Sequence, residues 1–179
     1  MYKALYGDSR AIALSNTTSF AFDTLGVAGL MYIGALTKIP LPFTPAPFTL
    51  QTLVVLVAPF LLGRDRAFAG IALFIFLGLT TQITGVAIFA AASGVTYGYL
   101  AAFLLTPLVV AYFSKTAIGV LTAMTVASAL ILLLGALWMQ VFLHISFGQA
   151  ILLGVVPFLP GDLIKIGLAC TLVRRMSNH

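Results

Sequence analysis

Pro160-Gly161-Asp162-Leu163-Ile164-Lys165 sets a carboxylate and an ammonium three residues apart within an otherwise apolar C-terminal stretch. If the segment is helical, this spacing puts both charges on one face. Near a bilayer centre each charge costs roughly 2.5–3.5 kcal/mol unless it is paired or faces a polar cavity. Two readings follow. Either Asp162 and Lys165 contact a ligand, the default for ionisable residues inside a membrane, or they only neutralise each other within the helix.

The surrounding chain decides whether the segment lies in a membrane. Hydrophobic residues make up 61% of the 179 and charged residues 7%, with no glutamate, which excludes an ordinary soluble domain. At about 20 residues per span, the length accommodates six helices with short loops in a single domain, residues 1–179. The net charge of +5 does not point to nucleic acid, because the basic residues stand mostly singly between apolar runs. The lone Cys170 cannot form an intrachain disulfide and reads as packing, and His144 and His179 form no metal-ligand cluster. The N-terminal region does not read as a cleavable signal, since Ser15-Asn16-Thr17-Thr18-Ser19 interrupts its apolar run.

Apolar runs place spans at residues 20–38, 48–63, 67–83, 98–113, 117–142 and 149–173, the last interrupted by Pro157 and Pro160-Gly161. An all-α membrane protein of six transmembrane helices is expected. Between the first two spans, Pro40, Pro42, Pro45 and Pro47 define a stiff non-helical connector. It is too apolar for a freely solvated loop and is expected to pack on the protein or cap a cavity. Residues 84–97 form a second connector, rich in Gly, Ala and Ser. With six spans, Lys3, Arg10, Arg64, Arg66, Lys115, Arg174 and Arg175 collect on one side and Lys38 on the other, so both termini are expected to be cytoplasmic. The proline connector, the 84–97 connector and the turn at His144 then face outward and could roof a pocket beside Asp162 and Lys165. Asp23 is expected near the headgroups.

Other polar residues are weaker signals. Gln51 opens the second span, where an amide binds a ligand or bonds a neighbouring helix. Gln82 and Thr84 read as groups that satisfy a helix end. Ser93-Gly94-Val95-Thr96-Tyr97-Gly98-Tyr99 combines close-approach glycines with two tyrosines that are either ligand contacts or interfacial anchors. Trp138 and His144 read as interfacial or packing residues. Neither a catalytic triad nor a phosphate-binding loop is written in the chain, so no enzyme and no ATPase is expected.

Three stretches, in this order, resemble the BioY family of biotin-specific substrate-binding (S) components of energy-coupling factor (ECF) transporters. They are Pro47-Phe48-Thr49-Leu50-Gln51-Thr52-Leu53 with Leu61-Leu62-Gly63-Arg64, Gly94-Val95-Thr96-Tyr97-Gly98-Tyr99-Leu100, and Pro160-Gly161-Asp162-Leu163-Ile164-Lys165. The likeness runs from about residue 25 to residue 173. Ala87 stands where the family's Gly-Leu-Pro-Val-Phe-Ala segment has proline, and Val95 and Tyr97 replace a proline and a glycine. The first span lacks the Ala-x-x-x-Ala pair by which S components dock; its nearest small pairs are Ser9/Ala13 and Ala11/Ser15.

The resemblance implies an S-component fold in the cell membrane and biotin as ligand, with no cofactor. It also implies a transmembrane coupling protein and two cytoplasmic ATPases as partners, in contact with membrane lipid. The implied biotin-binding set is Asp162, Lys165, Gln51, Tyr97, Tyr99, Phe89 and Thr49. Asp162 would accept from the ureido N–H groups and Lys165 would donate to the ureido carbonyl. Phe89, Tyr97 or Phe48 would pack on the thiophane ring, and a tyrosine hydroxyl, a helix N-terminus or Lys38 would meet the carboxylate. Two rival readings stand beside this one: an S component for another small vitamin, and a self-sufficient ion-coupled carrier with Asp162 as proton relay.

Overall fold

A computed structural model of the chain describes residues 17–84, 94–113 and 119–177. These residues form seven α-helices: α1 (Thr17–Leu36), α2 (Gln51–Leu62), α3 (Arg64–Thr84), α4 (Tyr97–Phe113), α5 (Gly119–Leu143), α6 (Phe147–Gly154) and α7 (Leu159–Ser177). No strand occurs among them. Four segments are long and apolar enough to cross a membrane: Ser19–Leu36, Gly94–Phe113, Gly119–Leu143 and Phe147–Met176. Large apolar side chains such as Phe22, Leu25 and Ile33 of α1, and Leu163, Ile164 and Leu168 of α7, are exposed on the outside of the bundle. Lipid suits that surface and water does not.

The proline connector is tied back on itself. Ile39 and Phe48 exchange two backbone hydrogen bonds of 2.9 Å in an isolated antiparallel bridge. That bridge delays the start of α2 to Gln51, three residues beyond the start read from the apolar run, because Phe48 is committed to extended backbone. The end of α1 supplies the next anchor. Thr37 Oγ1 donates to the Gly34 carbonyl at 2.7 Å, and the Leu50 N–H reaches both the Thr37 hydroxyl and the Gly34 carbonyl. A Cβ at Gly34 would stand 2.9 Å from the Gln51 nitrogen, so only glycine lets the start of α2 approach this closely.

At the other end of α2, Gly63 adopts φ +84°, a conformation side chains resist, and α3 begins at the very next residue. Arg64, Asp65 and Arg66 are therefore the first turn of α3 and not a connector. Arg66 forms an ion pair with Asp23 of α1 and also donates to Ser19. Asp23 thus has a protein partner near the start of its helix.

Two apolar clusters close the ends of the bundle. One gathers Ala46 of the proline connector, Val95 before α4, Leu132 and Met139 of α5, and Phe158. The other joins Leu56 and Phe60 of α2 to Val110, Met124, Cys170 and Val173. The last apolar segment breaks within the first of these clusters. α6 ends at Gly154, residues 156–158 make a 3-10 turn containing Pro157, and α7 starts at Leu159. Pro160 falls in the first turn of α7, where its missing N–H has no helical partner to lose. The interruption expected from Pro157 and Pro160-Gly161 is thus a full break in the helix, and the charged pair follows it immediately.

Candidate functional site

The break puts Asp162 in the first turn of α7, where the helix dipole favours a negative charge, while Arg174 and Arg175 occupy the last turn. Lys165 follows one turn later on the same face. Each of the two is only 4% exposed. Lys165 Nζ lies 3.2 Å from Asp162 Oδ1, so the pair is closed within the helix.

Closed does not mean sealed off. Both side chains also line a cavity of about 80 Å³. Its walls come from the proline connector (Ala46, Pro47, Thr49), α2 (Gln51, Thr52), α3, α4 (Tyr99, Leu100, Phe103), α5 (Ile131, Leu132), Phe158 and α7. Apolar surface dominates, and a few polar groups converge at one place, as in small-ligand sites generally.

Three further groups hold the pair. Ser128 of α5 donates from its hydroxyl to Asp162 Oδ2 at 2.8 Å. Lys165 Nζ donates to Thr52 Oγ1 at 3.4 Å and stands 3.9 Å from the centroid of the Phe48 ring, a cation–π contact. The edge of that ring presses on Gly161, where a Cβ would meet a Phe48 ring carbon at 2.1 Å. Phe48 therefore joins the proline connector to the charged pair through one side chain. The three ammonium hydrogens face an anion, a hydroxyl and a π-face. The carboxylate, with about four acceptor positions in all, has one partner on each oxygen and keeps acceptor capacity toward the cavity.

Five residues of the expected set meet at the cavity: Asp162, Lys165, Gln51, Thr49 and Tyr99. Gln51 is buried, and its Oε1 accepts from the Thr49 hydroxyl at 3.3 Å. This orients the carboxamide and leaves its NH2 as a donor. Tyr99 presents its ring to the cavity, against Gly135 of α5, which has no room for a Cβ. Its hydroxyl is used elsewhere, donating to the Gly154 carbonyl at 2.7 Å. Tyr97 is not part of the wall. It packs on Trp138, ring centroids 6.3 Å apart, and Trp138 in turn donates from Nε1 to the Gly94 carbonyl at 2.7 Å. Phe89, Ala87, Gln82 and the small pairs Ser9/Ala13 and Ala11/Ser15 lie outside the residues whose side chains are described, and Lys38 is not part of the cavity wall. Sequence reasoning did not single out Thr52 or Ser128.

Comparison with known proteins places this architecture. The sequence profile of the BioY family matches residues 10–179. A protein named biotin transporter BioY2 from Lactococcus lactis subsp. cremoris is 31% identical, over 92% of this chain and 96% of its own length. The biotin transporter BioY of Thermotoga maritima is also 31% identical, over 83% and 90%. Among solved structures, the S-component for biotin from an ECF-type ABC transporter superposes with a TM-score of 0.76, at 24% identity and covering 90% of this chain and 92% of that one. The fold is that of an S component. The order and spacing of the three motifs, the profile match and the relatives agree, and this protein belongs to the BioY family.

Proposed function

We propose that the chain binds biotin at the cavity beside α7 and carries it inward as the substrate-binding component of an ECF-type uptake transporter. The observation that carries this reading is the buried Asp162–Lys165 pair open to a mostly apolar cavity, in a member of a family whose relatives are named biotin transporters. The match in chemistry is direct. Asp162 accepts from a ureido N–H, and the Gln51 carboxamide donates to the ureido carbonyl. Lys165 adds a second donor when that carbonyl replaces its longest contact, the 3.4 Å bond to Thr52. Tyr99, Phe103 and Phe158 supply apolar surface for the thiophane ring. The valerate carboxylate extends from there toward the outer mouth of the cavity.

In this reading the chain is one membrane domain of six spans, α6 and α7 together making the sixth. Both termini are cytoplasmic, as the seven-to-one distribution of basic residues supports. The cavity then faces outward, below the proline connector. The partners are a transmembrane coupling protein and two ATPase subunits, in the cell membrane. Catalysis is left to those ATPases, and the chain itself binds and translocates.

Equilibrium binding of labelled biotin to the purified full-length protein tests the proposal. Submicromolar binding that is lost in Asp162→Asn and weakened in Lys165→Ala supports it, and unchanged binding in both variants rejects this site. Uptake by proteoliposomes holding this chain alone, driven by a proton gradient without ATP, would identify an ion-coupled carrier instead.

A further inference from the structure

Ser128 does not line the cavity, yet its hydroxyl is aimed across the helix interface at Asp162. Hydroxyls inside helices ordinarily bond the carbonyl four residues back. Thr106, Thr125 and Thr171 do so here, to Ala102, Leu121 and Gly167 at 3.0, 2.9 and 2.8 Å. Ser128 instead crosses from α5 to α7 and donates to Asp162 Oδ2 at 2.8 Å, while itself only 3% exposed. Around it α5 is apolar, with Ala127 and Ile131 buried beside it.

The geometry fixes what this bond does. Lys165 donates to one carboxylate oxygen and Ser128 to the other. Two anchors on two oxygens restrict rotation of the carboxylate and leave each oxygen with spare acceptor capacity. Ser128 also partly spends the acceptor strength of Oδ2. A site arranged in this way is matched to a ligand offering a neutral N–H at Oδ1's side, and it disfavours a ligand with additional or cationic donors that need both oxygens.

We infer that Ser128 is a positioning residue for Asp162, tuning the site for a neutral cyclic urea against its cationic analogues. This rests on the biotin reading above. The test compares biotin with 2-iminobiotin, whose ring carbonyl is replaced by an imine and which is a guanidinium cation at neutral pH. Both ligands are titrated into the full-length protein, Ser128→Ala and Ser128→Thr. The ratio of the two dissociation constants within one variant is insensitive to any fraction of protein that fails to fold.

In Ser128→Ala, biotin affinity is expected to fall about tenfold, the usual scale for losing a hydrogen bond to a charged group. The iminobiotin affinity falls less, because the freed Oδ2 accepts its extra donor, so the preference for biotin drops about fivefold or more. Ser128→Thr keeps the hydroxyl and the preference. A preference unchanged within about twofold in Ser128→Ala, with both ligands weakened alike, would mean that Ser128 only packs the helices, and the inference would fall. Lack of biotin binding by the unsubstituted protein would overturn the ligand reading itself, and the role of Ser128 with it.

Discussion

The Tyr99 hydroxyl donates to the carbonyl of Gly154, the last residue of α6, at 2.7 Å. Helix ends leave carbonyls without partners, and in a membrane such a group costs several kcal/mol unless something bonds it. α4 thus repairs the break from which the binding site is made. Tyr99→Phe keeps the ring against the cavity and removes only this bond. Its expected effect is a loss of about 1–3 kcal/mol of stability, read as a lower melting temperature in detergent. Biotin affinity should fall less than in Tyr99→Ala, which also removes the wall.

Gly161 gives a sharper contrast. A methyl group there would meet the Phe48 ring at 2.1 Å, whereas Gly167 on the same helix has open space around its Cβ position. Gly161→Ala should push Phe48 off the Lys165 ammonium and weaken biotin binding about tenfold or more, because a desolvated cation–π contact is lost and the site is overpacked. Gly167→Ala should bind as the parent does. Equal affinities in the two variants would refute the link between the proline connector and the charged pair.

The charged pair itself should show strong non-additivity. Lys165→Met leaves a carboxylate buried without its cation, and breaking such a pair costs about 3–5 kcal/mol. Adding Asp162→Asn removes the unmatched charge. The double variant should therefore melt at a higher temperature than Lys165→Met alone, although it loses the biotin binding that Lys165→Met only weakens. A double variant less stable than the single one would show that the pair is not coupled in the way its 3.2 Å contact implies.

At the far end of α1, the Asp23–Arg66 ion pair joins α1 to α3 with both side chains partly exposed. Asp23→Asn should cost about 1 kcal/mol or less, because solvent screens such pairs. Biotin affinity should not change, since neither residue lines the cavity. Titration and thermal melting of the same sample separate the two effects.

Much of this could be read from the chain, and the parts that could not have specific causes. Asp162 and Lys165 were conspicuous because charge is rare in an apolar run, and the break before them was written in Pro157 and Pro160-Gly161. Tyr97 and Tyr99 look equivalent in the sequence, one at the end of the 84–97 connector and the other at the start of the next span. Because α4 begins at Tyr97, residues two apart point about 200° away from each other, and only Tyr99 reaches the cavity. The start of α2 was misread because the Ile39–Phe48 bridge is a tertiary feature with no periodic signature. Thr52 and Ser128 were hidden for a similar reason. A single hydroxyl in an apolar helix reads as filler, and their partners on α7 lie 113 and 34 residues away.

Both members of the buried pair belong to one turn of α7, and this has a consequence for biogenesis. This segment neutralises itself as soon as it coils, so it enters the lipid as a compact dipole and not as two separate ions. Neither Asp162 nor Lys165 has to wait in the lipid for a countercharge on another helix. An acid and a base on different spans, as Asp23 and Arg66 are, tie membrane integration of one to the arrival of the other; here each buried charge is chaperoned by its own neighbour.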